Sequence, residues 1–340
     1  MSGERQTLRG SPVVAAPGKV FLLGEYAVLE GAPAVVAAVS RYAVGQYVIG
    51  IEPESLFTAE GVQAALAGLG DRATAMPPGS VLIDSTSFSV GGKKLGLGSS
   101  AAVVVVSVAA VMEMAGVSVA EHRDLCFTLA EQAHRGAQGG LGSGADVAAA
   151  VYGGLIQYRL PKPSASGPIP NPEGAAPVVV PMELPPQLNL VVFSEGKPAS
   201  TPDLIRTVKL FAERNESTYA SLMSKLEDRA EMFLEAIAGR NVAAAISAAR
   251  EYTVELAELG TRSGAPIVTP RFEIASDLAI NLGGVAKPSG AGGGDVGIAM
   301  FSDEASAKVF SSRLDQLGLR VLDVGVDLNG VHRRLPASNL

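Results

Sequence analysis

The chain has 340 residues, enough for two domains at roughly 100–200 residues each. Its 27 Lys and Arg against 34 Asp and Glu give a formal net charge of −7, which argues against binding nucleic acid through a basic face. Hydrophobic residues at 47% exclude a disordered chain, and the single cysteine, Cys126, excludes an internal disulfide or a cysteine-based zinc site.

Residues 12–50 read as strands, because short Val/Ala/Leu/Tyr-rich runs are divided there by Gly and Pro. Residues 56–70 read as a short helix and 80–90 as a strand, with the following Gly-Gly-Lys-Lys as a turn. A helix is predicted over residues 100–115. A second lies within residues 116–137, with Ser118 as N-cap and Glu121 completing a capping box. A buried helix follows Asp146, and residues 153–160 read as a strand. Nine prolines between residues 161 and 186 predict a loop or domain junction rather than a packed element. A strand then starts at Asn189. Residues 201–260 have the pattern of two or three long amphipathic helices. Residues 270–284 form another helix, 296–301 a strand, 302–318 a helix and 319–331 a final strand. No repeat of fixed period is present.

The N-terminal residues carry no apolar signal core before their glycines and prolines. The apolar run 101–115 is broken by Ser107 and Glu113 and is too short for a membrane span. A soluble cytoplasmic protein is the expectation. His122, His134 and His332 are too few for a His-rich metal site. His134 reads as a helix-end histidine, and Cys126, Met112 and Met114 as packing residues.

The 39 glycines are clustered, and three clusters carry chemistry. Residues 95–102 (Leu-Gly-Leu-Gly-Ser-Ser-Ala-Ala) lead into an Ala/Val helix. Small residues there would let backbone amides and the helix N-terminus approach a phosphate. Ser99 and Ser100 can bond phosphate oxygens or ligate a cation, and Lys94 adds a point charge. Taken alone, such a turn is as readily a capped helix start. Residues 287–295 (Lys-Pro-Ser-Gly-Ala-Gly-Gly-Gly-Asp) hold four glycines in five positions, a bare loop that costs entropy to order. It reads as either close approach to a ligand or a linker. Residues 139–146 place Asp146 after a glycine turn, as a carboxylate at a site or as a helix cap. Upstream, Lys19 follows Pro17-Gly18 and precedes an apolar strand.

Together these segments resemble the GHMP kinase superfamily. The stretch 16–31 (Ala-Pro-Gly-Lys through Gly-Glu-Tyr-Ala-Val-Leu-Glu-Gly) is similar to its first motif, 96–102 to its second and 287–295 to its third, in the family's order. Residues 141–154 and 194–208 are most similar to the phosphomevalonate kinase branch, as is Tyr26 where mevalonate kinases usually carry His. Val296 and the Ser194-Glu195 pair depart from that branch. The resemblance implies an α/β (α+β) two-domain fold. Residues 1–186 would form a ribosomal-protein-like, ATP-binding domain and residues 187–340 a ferredoxin-like domain.

It also implies ATP and Mg²⁺ as cofactors and a small-molecule acceptor, phosphomevalonate or mevalonate, with no nucleic acid or membrane partner and a homodimer left open. By the same resemblance Lys19 and Asp146 are the catalytic pair. Lys94, Gly96, Leu97, Gly98, Ser99, Ser100 and Ala101 would hold ATP, and Ser100 with Glu131 the metal. Lys19, Ser143, Lys197, Ser200, Thr201, Ser289, Gly290, Ala291 and Gly292 would face the acceptor, with Arg206 a further candidate cation. A non-catalytic sensor on the same fold is the remote alternative.

Overall fold

The computed structural model describes residues 12–140, 142–162, 176–197 and 200–334. β1 (Val13–Leu23) and β2 (Ala34–Ile49) pair antiparallel, joined through a 3-10 turn at Ala27–Glu30. Helix α1 (Leu56–Leu69) and the one-turn α2 (Asp71–Thr74) lead to β3 (Gly79–Asp84), which pairs with the far half of β2. The strand expected over 80–90 stops at Asp84. Its carboxylate accepts both the backbone N–H and the hydroxyl of Thr86, and that local bonding turns the chain. β4 (Ser89–Val90) and β5 (Lys93–Lys94) form a small hairpin around Gly91 and Gly92, so the two lysines are the return strand rather than the turn.

Helix α3 (Ser99–Met114) packs on β1 and β2, with every residue from 104 to 112 buried. Its Ala and Val side chains allow that close approach on all sides. Helix α4 (Arg123–Ala137) begins later than the expected capping box. The Ser118 carbonyl accepts from His122, while Glu113 takes the Val119 N–H; Val117 and Val119 are buried and pin this segment as a turn. Helix α5 (Ala145–Tyr152) and β6 (Leu155–Arg159) follow. β7 (Val178–Met182) then corrects the expectation of an unpacked proline-rich stretch. It pairs with β6 over five residues, and as an edge strand it tolerates Pro181.

The rest of the chain supplies β8 (Asn189–Ser194), α6 (Thr201–Arg214), α7 (Glu216–Ala238), α8 (Val242–Ser263) and α9 (Pro270–Asn281). It continues with β9 (Val285–Pro288), β10 (Gly297–Phe301), α10 (Glu304–Leu314), β11 (Arg320–Leu322) and β12 (His332–Arg334). A second sheet runs β11-β8-β10-β9, antiparallel throughout. Phe193, Phe272, Phe301 and Phe310 pack between it and α9 and α10, with ring centroids 5.1–5.8 Å apart. Leu222, Leu226, Phe233 and Ile237 of α7 form a helical stripe that meets Ala249, Tyr252 and Leu256 of α8.

The last strand expected over 319–331 is shortened to β11, and β12 lies just beyond that range. After β11 the chain crosses back, Asp327 N–H bonds the Ala38 carbonyl, and β12 joins β1. The Asp327 carboxylate accepts the N–H groups of Asn329 and Gly330, which makes the turn. The first sheet therefore runs β12-β1-β2-β6-β7, with β3 also beside β2. Among the described residues no helix is long and apolar enough to cross a membrane.

Candidate active site

One cleft of about 510 Å³ opens where the first sheet's helices meet the loop between β9 and β10. Its walls include the N-termini of α3, α5 and α6, so three positive helix ends face the same space. Gly98 is the N-cap of α3 at φ 79°, with no side chain to cap the first turn, which leaves those amides for an anion. Gly96, Gly98, Ser99, Ser100 and Lys94 line the cleft. Leu97 and Ala101 do not; both are buried behind the loop, and the Leu97 carbonyl accepts the Lys19 N–H at 2.9 Å.

Lys19 reaches the cleft from β1 with only 8% of its surface exposed. A Cβ on Gly98 would sit 3.0 Å from Lys19 Cγ, so glycine is what lets the lysine pass this loop. Its ammonium lies 5.3 Å from the Phe21 ring centroid and beside Gly290. Gly290 and Ala291 line the cleft. Ser289 and Gly292 hold the loop instead. The Ser289 hydroxyl accepts the Phe21 N–H at 2.7 Å, and Gly292 packs on the Ile267 backbone where no Cβ would fit.

The motif after Lys19 is anchored by Tyr26, Tyr252 and the Glu25–Lys287 pair. Tyr26 has φ 62° and ψ −55°, and Ala27 N–H bonds the Glu25 carbonyl at 2.7 Å. This is a γ-turn of the rarer sign, which costs about 1–3 kcal/mol of strain. Tyr26 donates to the Ala291 carbonyl (2.7 Å) and Tyr252 to the Glu25 carbonyl (2.6 Å), and these bonds hold the turn. The Glu25 carboxylate pairs with Lys287 at 2.5 Å, both side chains essentially unexposed. Burial holds the Lys287 ammonium below the usual lysine range, against the pull of Glu25.

Asp146, in the first turn of α5, lines the opposite wall with Ser143. One carboxylate oxygen accepts the Val147 N–H at 3.0 Å, and the other lies 4.0 Å from His134 Nε2. Ser143 is fixed from behind by Tyr158, which donates to its carbonyl at 2.6 Å. Ser200 and Thr201 start α6 on the cleft rim, the Ser200 hydroxyl accepting the Asp203 N–H. Glu131 and Lys197 stand outside the cleft wall. The Glu131 carboxylate is taken by Arg135 one turn along α4, and Lys197 pairs with Glu195 at 2.8 Å while two-thirds exposed. Arg206 is likewise exposed, paired with Asp203.

Asp295 closes the loop against Gly96, where a Cβ would land 2.3 Å from its carboxyl carbon. Burial pushes this carboxyl up from 3.8 to about 6, although Lys19 and Lys94 pull it down. Between those values the folded chain keeps a proton that the unfolded chain releases. The stability from this group is full below about pH 4 and is lost as pH rises through about 6. Asp295→Asn is expected to remove that loss. In urea titrations the variant gains on the wild type as pH rises from about 4 to about 7. A difference that stays flat over this window would show that Asp295 does not hold the proton.

The model of the GHMP kinases N terminal domain matches residues 64–154, and that of the GHMP kinases C terminal matches residues 233–318. A phosphomevalonate kinase of Streptomyces sp. (strain CL190) is 30% identical over 274 residues, spanning 77% of this chain and 72% of the relative. A Lin0012 protein from Listeria innocua superposes with a TM-score of 0.83 at 27% identity, covering 96% of this chain and 99% of its own. Streptococcus pneumoniae phosphomevalonate kinase, solved with phosphomevalonate and AMPPNP, shares the fold at TM-score 0.75 and 24% identity, covering 92% of this chain and 99% of that one. With three glycine loops on one cleft and both halves of the fold matched, the chain belongs to the GHMP kinases and is a small-molecule kinase.

Proposed function

We propose that the chain transfers the γ-phosphoryl group of ATP to the phosphate of phosphomevalonate, releasing diphosphomevalonate and ADP. The observation that carries this reading is the convergence of Lys19, Lys94 and three helix N-termini on one cleft in a chain of net charge −7. Two phosphate-bearing reactants repel, and a local excess of positive charge is what brings them together. The similarity to the Streptomyces phosphomevalonate kinase supports the same acceptor.

In this reading the first-turn amides of α3, with Ser99 and Ser100, hold the nucleotide phosphates. Lys19 neutralises the attacking and transferring oxygens, and Lys94 supports it from the loop's other side. The acceptor phosphate is already largely ionised at neutral pH, with a second pKa of about 6, so no strong base is required. Asp146 then orients groups rather than removing a proton, and Ser143, Ser200 and Thr201 receive the acceptor's polar ends.

The Ser100 hydroxyl and the Asp146 carboxylate, both within 4.0 Å of His134 Nε2, are hard oxygen donors that suit Mg²⁺ shared with phosphate oxygens. The cation would supply charge neutralisation for the β- and γ-phosphates. No cluster of three or more acidic, His or Cys side chains occurs among the described residues, and a nucleotide-borne Mg²⁺ needs only one or two.

Mevalonate is the second acceptor, favoured by the cleft-facing Asp146 carboxylate, whose Oδ2 does not take the Val147 N–H, as a base for an alcohol. A coupled ADP-release assay with Mg²⁺ and ATP, offering each acceptor separately, decides between them. Turnover on phosphomevalonate alone is expected. Turnover on mevalonate alone would overturn the acceptor while leaving the kinase.

A further inference from the structure

His134 sits near the C-terminal end of α4, 34 residues from the helix start it touches, and only 4% exposed. Its ring lies beside Phe57, with centroids 5.7 Å apart. Three groups converge on its Nε2: the Ser100 hydroxyl at 3.1 Å, the Gln138 amide nitrogen at 3.1 Å and an Asp146 oxygen at 4.0 Å. An amide nitrogen only donates, so Nε2 presents its lone pair to Gln138. The Ser100 hydroxyl is bonded to the same nitrogen, and that bond fixes where the serine oxygen sits. The serine hydroxyl is thereby held against the ring on the cleft wall, where a cation or a phosphate oxygen would meet it. Gln138 is one helical turn from His134 and is itself in the cleft wall. Gly142 leaves room for its amide oxygen, since a Cβ there would lie 2.8 Å away.

We propose that His134, oriented by Gln138, is a positioning residue that aims the Ser100 hydroxyl at the nucleotide phosphates and their cation. This rests on the assignment of Ser100 and ATP made above.

Two substitutions separate positioning from packing. In His134→Gln the side-chain amide reaches the place of Nε2. In His134→Asn it reaches only the place of Nδ1. Binding of a non-hydrolysable ATP analogue is measured by calorimetry with Mg²⁺ and with EDTA, beside steady-state kinetics and thermal melting.

For His134→Asn the tightening of binding by Mg²⁺ is expected to shrink by about tenfold and kcat to fall roughly thirtyfold, with the acceptor KM within about twofold. His134→Gln is expected to stay within about threefold of wild type on each measure. An unchanged Mg²⁺ effect and kcat in His134→Asn would overturn the proposal. So would equal losses in both variants accompanied by equal losses of melting temperature, which would mark a packing role. A wild type that binds the analogue in neither condition would overturn the ATP assignment itself, and this inference with it.

Discussion

Lys19→Met is expected to lower turnover by roughly 10³-fold and to leave the fold intact. The expected loss is at the upper end for removing one group that meets developing charge, because Lys19 is nearly buried and its field is little screened by water. Methionine fills the same channel between Gly98 and the Phe21 ring, so packing is preserved. Lys19→Arg is expected not to rescue. The channel passes a methylene stem 3.0 Å from where a Gly98 Cβ would lie, and a planar guanidinium needs a wider end. The measurement is kcat in the ADP-release assay, with circular dichroism and a thermal melt as controls. A folded Lys19→Met that keeps more than about a tenth of wild-type kcat would place the neutralising charge elsewhere.

The parts of the molecule that were legible in the sequence are those whose physics is local. Glycine at 96, 98 and 144 is needed for backbone conformations with positive φ, and that need is written within a few residues. The long helices α6, α7 and α8 follow from 3.6-residue periodicity, and β8 and β10 from short apolar runs, whereas β9 was not read as a strand. What was missed depends on partners far along the chain. β7 is a strand because β6 offers it an edge, which no composition of prolines reveals. β12 returns to β1 across more than 300 positions, from 332 to 15.

His134 carried one faint signal: it and Gln138 are a turn apart on a helix that runs into a glycine loop. Its aim at Ser100 needed the packing of α4 against α3. Lys197 shows the converse. It follows a strand end and carries a charge, yet Glu195 lies closer and takes it.

Lys287→Met is expected to cost about 3–5 kcal/mol of stability, the largest structural effect of any single change to the site's framework. The lysine lies on β9 and Glu25 follows β1, 262 residues apart, and both are sealed from water. Removing the ammonium leaves a buried carboxylate whose Oε2 already lacks a hydrogen-bond partner among the described residues. The Gly290 N–H, at 3.4 Å from Oε1, is too weak a substitute for the lost charge. The double variant Glu25→Met with Lys287→Met removes both charges and is expected to recover at least about half of the loss, because the desolvation cost leaves with them.

Thermal melts read the comparison. A fall of roughly 10 °C for the single variant, partly restored in the double, is the expected pattern. Additive losses would mean that the two residues contribute separately. The γ-turn at Tyr26 makes the outcome matter for catalysis as well as for folding. Its strain is held by the bond that Tyr26 donates to the Ala291 carbonyl and the one Tyr252 donates to the Glu25 carbonyl, and the ion pair ties the same turn to the strand that leads into the 287–295 loop. A chain that melts early at this pair loses the wall of the cleft against which Lys19 is aimed.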